Sequence, residues 1–407
     1  MAGLSPRALI AALLVFALPG AGAADGLEFA VGKAVFDRPW VPAPSSTRGN
    51  DGLGPLFDAR SCSACHPRDG RGMARLDADG SPLGHGLVVA LARPGGGPDP
   101  VYGARLQTEA VQGHDAEAIV RIRETRDRQG RIARIPVLSA LAYGPLAPDT
   151  VPRLRLAPDL RGRGLLAQVP QAAILALEDR DDRDGDGVRG RAHHMVGADG
   201  RETIGRFGWK AQQPTLQGQV AEAFHLDFGL STPLLPEPWG DCTPAQTLCR
   251  NAPHGVAHEG ETEISGALFD ALVVYVAGLP VPPAQAHAAG ARLFAATGCA
   301  ACHRPALPLE GGGTAPLFTD LLLHDLGPGL DDGLDLPGVA GAEWRTAPLA
   351  GISEALARGT GLLHDGRATD VAAAVAWHSG EAASALARYG RLSAPDRAAL
   401  IRYVSGL

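Results

Sequence analysis

The chain has little of several residue types, and each shortage excludes a class of protein. Aromatic residues make up only 5% of its 407 residues, whereas glycine and proline number 53 and 33. This composition favours short helices joined by long loops. There is no basic tract and the formal net charge is -7, so nucleic acid is not an expected partner. Beyond the N-terminal segment no apolar run approaches spanning length, so we expect a soluble mature protein that does not span a membrane.

The N-terminal segment has the three parts of a secretory signal. Arg7 supplies a positive charge, residues 9–18 form a short apolar run, and Ala21-Gly22-Ala23 is a small-residue cleavage site. A retained membrane anchor is the weaker interpretation because the run is short and ends at Pro19-Gly20. We therefore predict a signal peptide over residues 1–23 and a periplasmic mature protein.

One five-residue motif occurs twice, as Cys62–His66 and as Cys299–His303. C-x-x-C-H is the attachment motif of c-type haem, in which both thiols form thioethers and the histidine ligates the iron. A zinc site would need two further ligands at similar spacing, and a thioredoxin-type redox pair does not require the histidine. The sequence thus predicts two covalently bound haem c groups. Their predicted binding residues are Cys62, Cys65, His66, Cys299, Cys302 and His303.

Two cysteines remain, Cys242 and Cys249, seven positions apart. Haem c is attached outside the cytoplasm, where free thiols tend to oxidise. We therefore predict a local disulfide between them, with two free thiols as the less favoured alternative.

An acidic segment resembles the start of a calcium-binding loop. Asp182, Asp184 and Asp186 alternate and are followed by Gly187. The twelfth position counted from Asp182 is His193 instead of the glutamate of a complete EF-hand loop. A calcium site and a solvated acidic turn both remain open.

Proline and helical spacing suggest one main division of the chain. Residues 263–279 carry apolar side chains at helical spacing, and Pro280 with the prolines after it ends that helix. Further helical patterning appears over residues 371–378 and 394–404. We expect a mainly α protein of two cytochrome c-like haem domains with long loops, the first (24–280) enlarged by insertions and the second at 281–407.

Several segments resemble the motifs of the bacterial di-haem cytochrome c peroxidase and MauG superfamily, and most closely its di-haem oxidoreductase family, also called thiol-oxidoreductase-like. These segments read GPLFDARSCSACHPRDGRG, GRFGWKAQQPTLQGQVAEAF, TDLLLHDLGPGL, EWRTAPL and LLHDGRA, and they extend from Gly54 almost to the C-terminus. The resemblance implies one haem that passes electrons, a second haem that meets peroxide, and a tryptophan between them.

The resemblance also implies where the electron-transfer haem finds its second ligand. His303 is its expected proximal ligand, and relatives place a methionine or tyrosine fourteen residues after the histidine of an H-D-G motif. Here His378 stands fourteen residues after His364, and no methionine follows His303. We therefore expect ligation by His303 and His378, which lowers the reduction potential relative to methionine ligation. His364 and His324 are the rival candidates.

For the peroxide-reacting haem, His66 is the expected proximal ligand. The resemblance assigns Trp209 to the bridge between the haems, Gln219 ten residues later to the distal pocket, and Asp227 to acid–base catalysis. Glu222 could replace Asp227. His225, His85, His114 and Met73 are candidates for a displaceable iron ligand.

These expectations favour a periplasmic di-haem peroxidase. It would accept electrons from a small redox protein, or another donor, at the C-terminal haem and reduce hydrogen peroxide at the N-terminal haem. A di-haem electron carrier and a MauG-like or oxygenase-type oxidant are the alternatives. An electron carrier would need a strong second ligand on the first haem and far fewer residues.

Overall fold

The computed structural model describes residues 21–47, 49–197, 200–256, 258 and 260–407. The predicted signal peptide lies outside this part of the chain, apart from the last three residues of 1–23. Those three begin the first helix. The cleavage of a signal therefore stays a prediction.

The described residues form short helices, most of fewer than ten residues. The helices are α1 (Ala21–Asp37), α2 (Cys62–Cys65), α3 (Arg163–Ala167), α4 (Gln171–Leu175), α5 (Leu216–Ala223), α6 (Thr247–Arg250), α7 (Gly266–Ala277), α8 (Ala288–Ala296), α9 (Ile352–Arg358), α10 (Val371–Val375), α11 (Ala383–Gly390) and α12 (Ala394–Ser405). Single turns of other helical types cover Pro67–Asp69, Phe224–Phe228, Cys299–Ala301 and Gly380–Ala382.

The strands are also short. They are β1 (Val41–Pro42), β2 (Asp51–Leu53), β3 (Leu56–Phe57), β4 (Leu87–Ala92), β5 (Arg105–Leu106), β6 (Glu109–Ala110), β7 (Ile119–Arg126), β8 (Ile132–Ser139), β9 (Val151–Leu156), β10 (His193–Val196), β11 (Glu202–Gly205), β12 (Leu307–Pro308), β13 (Thr314–Ala315), β14 (Leu323–Asp325) and β15 (Glu343–Arg345).

The strands pair into small separate sheets instead of one large sheet. The largest has three strands in the order β5-β4-β9, and both of its pairings are antiparallel. The other sheets in the described part have two strands each, and only β1–β2 is parallel. The longest pairing is the β7–β8 hairpin, in register from Ile119 opposite Ser139 to Arg126 opposite Ile132.

These strands overturn the prediction of a mainly α protein. The structure is 28% helix and 19% strand, and it shows no clear cytochrome c-like helical domains. The alternation of β7 explains the error: Val120 and Ile122 are buried, whereas Arg121 and Arg123 are exposed. This period of two is the signature of a half-buried strand. The sequence interpretation, centred on the C-x-x-C-H motifs, did not use it.

The largest apolar core lies around α1, α3, α5 and α7. α1 crosses α7 at Gly32, where an added Cβ would lie 2.0 Å from the carbonyl oxygen of Ala271. Only glycine allows the two backbones to approach so closely. The same core includes Leu272 and Leu322, so its side chains come from both sides of Pro280. The proposed domain division at residue 280 remains a prediction.

Two of the smaller cores among the described residues lie in the sheets and around the C-terminal helices. One lies within the sheets of residues 74–156 and includes Val89, Leu106 and Leu154. The other joins α8, α10 and α12 through Phe294, Val371 and Leu400. The helical spacing over 371–378 and 394–404 thus marked real helices, α10 and α12.

Two further expectations can be compared with the fold. The predicted disulfide between Cys242 and Cys249 is formed. Within the described ranges, no helix has both the length and the apolar character that a membrane crossing requires.

Candidate functional site

The first C-x-x-C-H motif forms one helical turn. The His66 amide donates to the carbonyl oxygen of Cys62 at 2.8 Å, which closes the turn. The chain then bends sharply, with positive φ angles at Arg68 and Asp69. This bend brings the carbonyl oxygen of Gly70 to 3.2 Å from Nδ1 of His66.

The second motif has the same local geometry. The His303 amide donates to Cys299 at 3.0 Å, and Nδ1 of His303 lies 3.1 Å from the carbonyl oxygen of Phe318. Gly298 enters the motif with a φ of 88°, a left-handed conformation that glycine adopts without strain.

In both histidines Nδ1 lies against a backbone carbonyl oxygen, and His66 has a further backbone contact at Pro158. A carbonyl oxygen can only accept, so Nδ1 carries the proton and Nε2 keeps its lone pair. Burial lowers the pKa of His66, and burial together with His378 lowers the pKa of His303 to about 4. Neutral imidazoles with a fixed Nδ1–H are the form that ligates iron.

Each motif forms the wall of a cavity. The N-terminal cavity is lined by Cys62, Cys65 and His66 together with side chains of α5 and of the turn after it. The C-terminal cavity is lined by Cys299, Cys302 and His303 together with side chains of α9 to α12. Burial raises the pKa of Cys62 to about 12, so this thiol is not a reactive thiolate.

The wall shared by the two cavities carries two arginines that form no direct ion pair with another described residue, although the charge of Asp159 acts on one and that of Asp320 on the other. Arg163 and Arg345 line both cavities. Burial and the nearby charge of Arg163 lower the pKa of Arg345 to about 9. Two buried guanidinium groups beside each other would be stabilised by carboxylates such as the haem propionates. Apolar walls, paired cysteines, neutral histidines and these cations together fit a haem in each cavity.

Trp209 also lies on both cavities. Its Nε1 donates to the carbonyl oxygen of Leu156 at 2.8 Å, which fixes the indole ring. The ring meets His364 edge-on at 6.5 Å between centroids, and His364 stacks on Trp344 at 3.9 Å. Trp209, which the resemblance assigns to the bridge between the haems, thus lines the cavities of both motifs.

His378 faces the C-terminal cavity from the end of α10. Its Nδ1 lies 3.0 Å from the carbonyl oxygen of Ala374, so Nε2 is again the atom left for a metal. Burial lowers its pKa, as it does for His303. The structure therefore brings the two predicted ligands of the second iron to one cavity.

His324, the rival candidate for the second iron ligand, has both ring nitrogens bound to carboxylates. Its Nε2 lies 2.9 Å from Asp320 and its Nδ1 lies 2.7 Å from Glu381. Burial alone would lower the pKa of His324. The neighbouring Asp320 nevertheless holds this pKa well above its ordinary value. With both nitrogens bound to carboxylates beside Cys302, this histidine is not free to ligate iron.

Gln219 lies on α5 and faces the N-terminal cavity. Its Nε2 donates to Glu222 at 3.3 Å, and its Oε1 is buried without a partner. Glu222 also accepts from Gln213 at 3.1 Å, and burial raises its pKa. An amide and a protonatable acid thus stand next to each other in this cavity.

Asp227 lines the same cavity from the turn after α5. The turn ends at Gly229, whose left-handed conformation (φ 67°) lets it pass against Gly54. The Gly54 amide donates to Phe228 and the Asp58 amide to Asp227, both at 2.8 Å, so β3 holds the turn in place.

Sequence reasoning missed the partner of Asp227. Arg105 in β5 lines the N-terminal cavity and pairs with Asp227 through Nη1. Its Nη1 also lies 3.9 Å from Asp58, a second buried carboxylate. No local motif could have indicated this contact, because Arg105 and Asp227 are 122 positions apart.

Of the four candidates for a displaceable ligand, none lines the N-terminal cavity. These are His85, His114, His225 and Met73. Nδ1 of His225 is buried without a partner, although it belongs to the same turn as Asp227.

The acidic segment folds into a turn whose carboxylates converge. Oxygens of Asp182, Asp184 and Asp186 lie within 4.8 Å of one another. His193, the twelfth position, is instead buried in β10 with its ring between the carbonyl oxygens of Ala211 and Pro337. The geometry admits a cation at the three aspartates, but their carboxylates also bond to amides within the turn.

Comparison with known proteins agrees with this geometry. A family model described as "di-haem oxidoreductase, putative peroxidase" matches residues 15–82 and 146–407. Since this is more than half of the chain, the protein belongs to the di-haem oxidoreductase family. No curated protein and no solved structure matches the chain significantly. Residues 83–145, which include β4 to β8 and Arg105, lie outside the family match.

Proposed function

We propose that the protein is a periplasmic peroxidase with two covalently attached haem c groups. A small redox protein, or another one-electron donor, gives electrons to the haem in the C-terminal cavity. Hydrogen peroxide is reduced in the N-terminal cavity. The observation that carries the proposal is the difference between the cavities. In the C-terminal cavity His378 has only Nδ1 near a backbone carbonyl oxygen. The further histidines of the N-terminal cavity, His193 and His194, have both ring nitrogens within hydrogen-bond distance of other groups, and Gln219 with Glu222 faces that cavity.

In the C-terminal cavity, His303 and His378 would hold the iron of the haem. Both rings are held by carbonyl oxygens through Nδ1, so their orientation is set before any cofactor binds. Held by these two imidazoles, the haem would supply electron transfer at a low reduction potential. Trp209, on both cavities, is the group through which electrons pass to the N-terminal side.

In the N-terminal cavity, His66 would hold the iron, which when bound supplies the redox chemistry. Cleavage of the peroxide bond requires a base for the first proton and an acid for the leaving oxygen. Asp227 serves this purpose in the proposal, with Glu222 as the alternative acid because burial raises its pKa. The Gln219 amide provides hydrogen bonds as charge develops on oxygen.

The convergence of Asp182, Asp184 and Asp186 supports a calcium ion as an additional part of the proposal. We assign it a structural role, since these aspartates lie in an exposed turn, although Asp186 also lies at the edge of the C-terminal cavity.

Two other functions remain as alternatives on the same frame. A di-haem electron carrier does not need Gln219, Glu222 and Asp227 in the N-terminal cavity. Their presence therefore disfavours this alternative. An oxygenase or protein-modifying oxidant of the MauG type would use the same residues on another substrate.

Steady-state peroxide consumption by the holoprotein, with a panel of reduced donors and oxygen excluded, tests the proposal. We expect two electrons consumed for each peroxide. Gln219→Ala should lower kcat by about 10²-fold, because it removes a donor to developing charge. Gln129→Ala, in an exposed turn, is the matched control. Undiminished turnover in Gln219→Ala would remove the distal assignment, and absence of turnover in the wild type would remove the peroxidase.

A further inference from the structure

A third cavity, here called the side cavity, lies on the other side of β4 from the N-terminal cavity: Leu87 and Val89 line the side cavity, and Val88 and Ala90 line the N-terminal cavity. Its walls include Asp58, Ser81, His85, Thr108, Glu109 and Asp115. The side chains of His85 and Glu109 are 38% and 39% exposed, so the side cavity reaches solvent. Neither Gln219 nor the cysteines of the first motif line it.

Asp58 is the buried carboxylate among the residues that line the side cavity. Its side chain is buried, and Oδ1 accepts from both the amide and the hydroxyl of Thr108 at 3.2 Å. Oδ2 is buried and has no hydrogen-bond partner. Burial raises the pKa of Asp58 to about 7, which allows this carboxyl to take up and release a proton near neutral pH.

Arg105 connects Asp58 to the N-terminal cavity. Its Nη1 pairs with Asp227, which lines that cavity, and lies 3.9 Å from the free Oδ2 of Asp58. A guanidinium holds its donors in a rigid planar fork, so one side chain fixes both carboxylates relative to each other. The three residues form a continuous line from a solvent-reaching cavity to the proposed reaction site.

We propose that Asp58 and Arg105 form a route by which protons enter the N-terminal cavity from the side cavity. Asp58 takes a proton from water, and Arg105 is the positioning residue that holds Asp227 to receive it. The inference rests on the proposed peroxidase and adds a proton supply to it. Arg105 and Thr108 lie outside the segments that match the family model, whereas Asp58 and Asp227 lie within them.

The stoichiometry shows why such a route is needed. Reduction of one hydrogen peroxide to two waters breaks the O–O bond and consumes two electrons and two protons. The electrons come singly from the one-electron donor. Two of the four hydrogens in the product waters are already on the peroxide, and the other two must come from solvent. Asp58 supplies these two in turn.

A purely structural role is the alternative, in which the ion cluster only anchors β5 to the turn that carries Asp227. The groups that face Asp58 include Arg105, Asp227 and Glu117 on its carboxyl side and His85 on its carbonyl oxygen at 2.8 Å. A structural role predicts lower stability without a change in the pH profile of turnover.

The test compares holoprotein variants. Asp58→Asn keeps the shape of the side chain and removes its titratable proton. The control is Asp115→Asn, since Asp115 is an exposed residue that lines the same side cavity. We expect Asp58→Asn to lower kcat by about 10²-fold with KM unchanged and to abolish the pH dependence near neutrality. Small weak acids such as formate should restore part of kcat in Asp58→Asn only. An Asp58→Asn variant with the kcat and pH profile of Asp115→Asn would overturn the route.

Arg105 is tested in parallel. Arg105→Lys retains a charge and should retain part of kcat, whereas Arg105→Met should lose it, with Arg121→Lys as the exposed control. A second measurement does not need turnover: hydrogen cyanide must lose its proton to bind a ferric haem, so its association rate reports proton transfer in this cavity. We expect Asp58→Asn to slow cyanide association at the N-terminal haem by at least tenfold. Unchanged association rates would contradict the route even if the protein proved not to be a peroxidase.

Discussion

At the scale of single residues, histidine orientation carries the assignment of ligands. His66, His303 and His378 each have Nδ1 within hydrogen-bond distance of a backbone carbonyl oxygen. Because Nδ1 carries the proton in this contact, it cannot bind a metal. The lone pair of Nε2 is left for the iron. His324 lacks this arrangement because carboxylates occupy both of its nitrogens.

This distinction leads to a prediction for the second haem. His378→Ala should convert the C-terminal haem from low spin to high spin, since no methionine follows His303 to replace the lost ligand. Absorption and electron paramagnetic resonance spectra of the oxidised holoprotein would show the change. His254→Ala, at an exposed position, should leave the spectra unaltered. A low-spin C-terminal haem in His378→Ala would show that another residue is the ligand.

The sequence supplied candidate residues near the motifs but gave no sign of contacts between distant parts of the chain. The resemblance to the family motifs pointed to His378 and Gln219, and each lines the cavity for which it was proposed, although their roles stay predictions. Arg105 and Asp58 escaped notice because their significance depends on a contact between β5 and a turn far along the chain. Neither residue lies in a pattern that indicates such a contact.

At the scale of elements, the close crossing of α1 and α7 supports the core beneath the N-terminal motif. Gly32→Ala would force a Cβ against the backbone of Ala271, which should lower the free energy of unfolding by about 1–3 kcal/mol. Gly26→Ala in the same helix is the control, since no atom lies within 4 Å of its added Cβ. Thermal unfolding of the two variants checks this. Equal melting temperatures would mean that α1 does not pack on α7 in solution.

The elements also show why the fold class was predicted wrongly. Apolar spacing over residues 263–279 led to α7, which covers Gly266–Ala277. The strands of the sheet β5-β4-β9 are shorter and less regular, with β5 only two residues long. Tertiary packing of Leu106 and Val89 stabilises these strands. The local sequence pattern does not indicate such packing, so the strands could not be predicted from it.

At the scale of the whole molecule, buried carboxyl groups make stability depend on pH. Burial raises the pKa of Asp58, Asp241 and Glu263 to about 7 and that of Glu117 to about 9. In the unfolded chain these groups would have their ordinary values near 4, so folding takes up protons between those values. The stabilisation is complete below the unfolded pKa and is lost as pH rises through the folded pKa.

We therefore expect the free energy of unfolding of the holoprotein to fall as pH rises from about 5 to about 9. Denaturant unfolding at several pH values measures it. Asp241→Asn should flatten part of the slope below pH 8, whereas Asp149→Asn, on the surface, should not. A stability that rises over this range would contradict the burial of these carboxyls.

The central claim is that one haem is closed by two histidines and the other is open to ligands. Titration of the fully oxidised holoprotein with cyanide, followed by electron paramagnetic resonance, tests it most directly. The account predicts that cyanide changes the signal of one haem, the one attached at Cys62–His66, and leaves the low-spin signal of the other unchanged. Cyanide binding at both haems, or at neither, would contradict it.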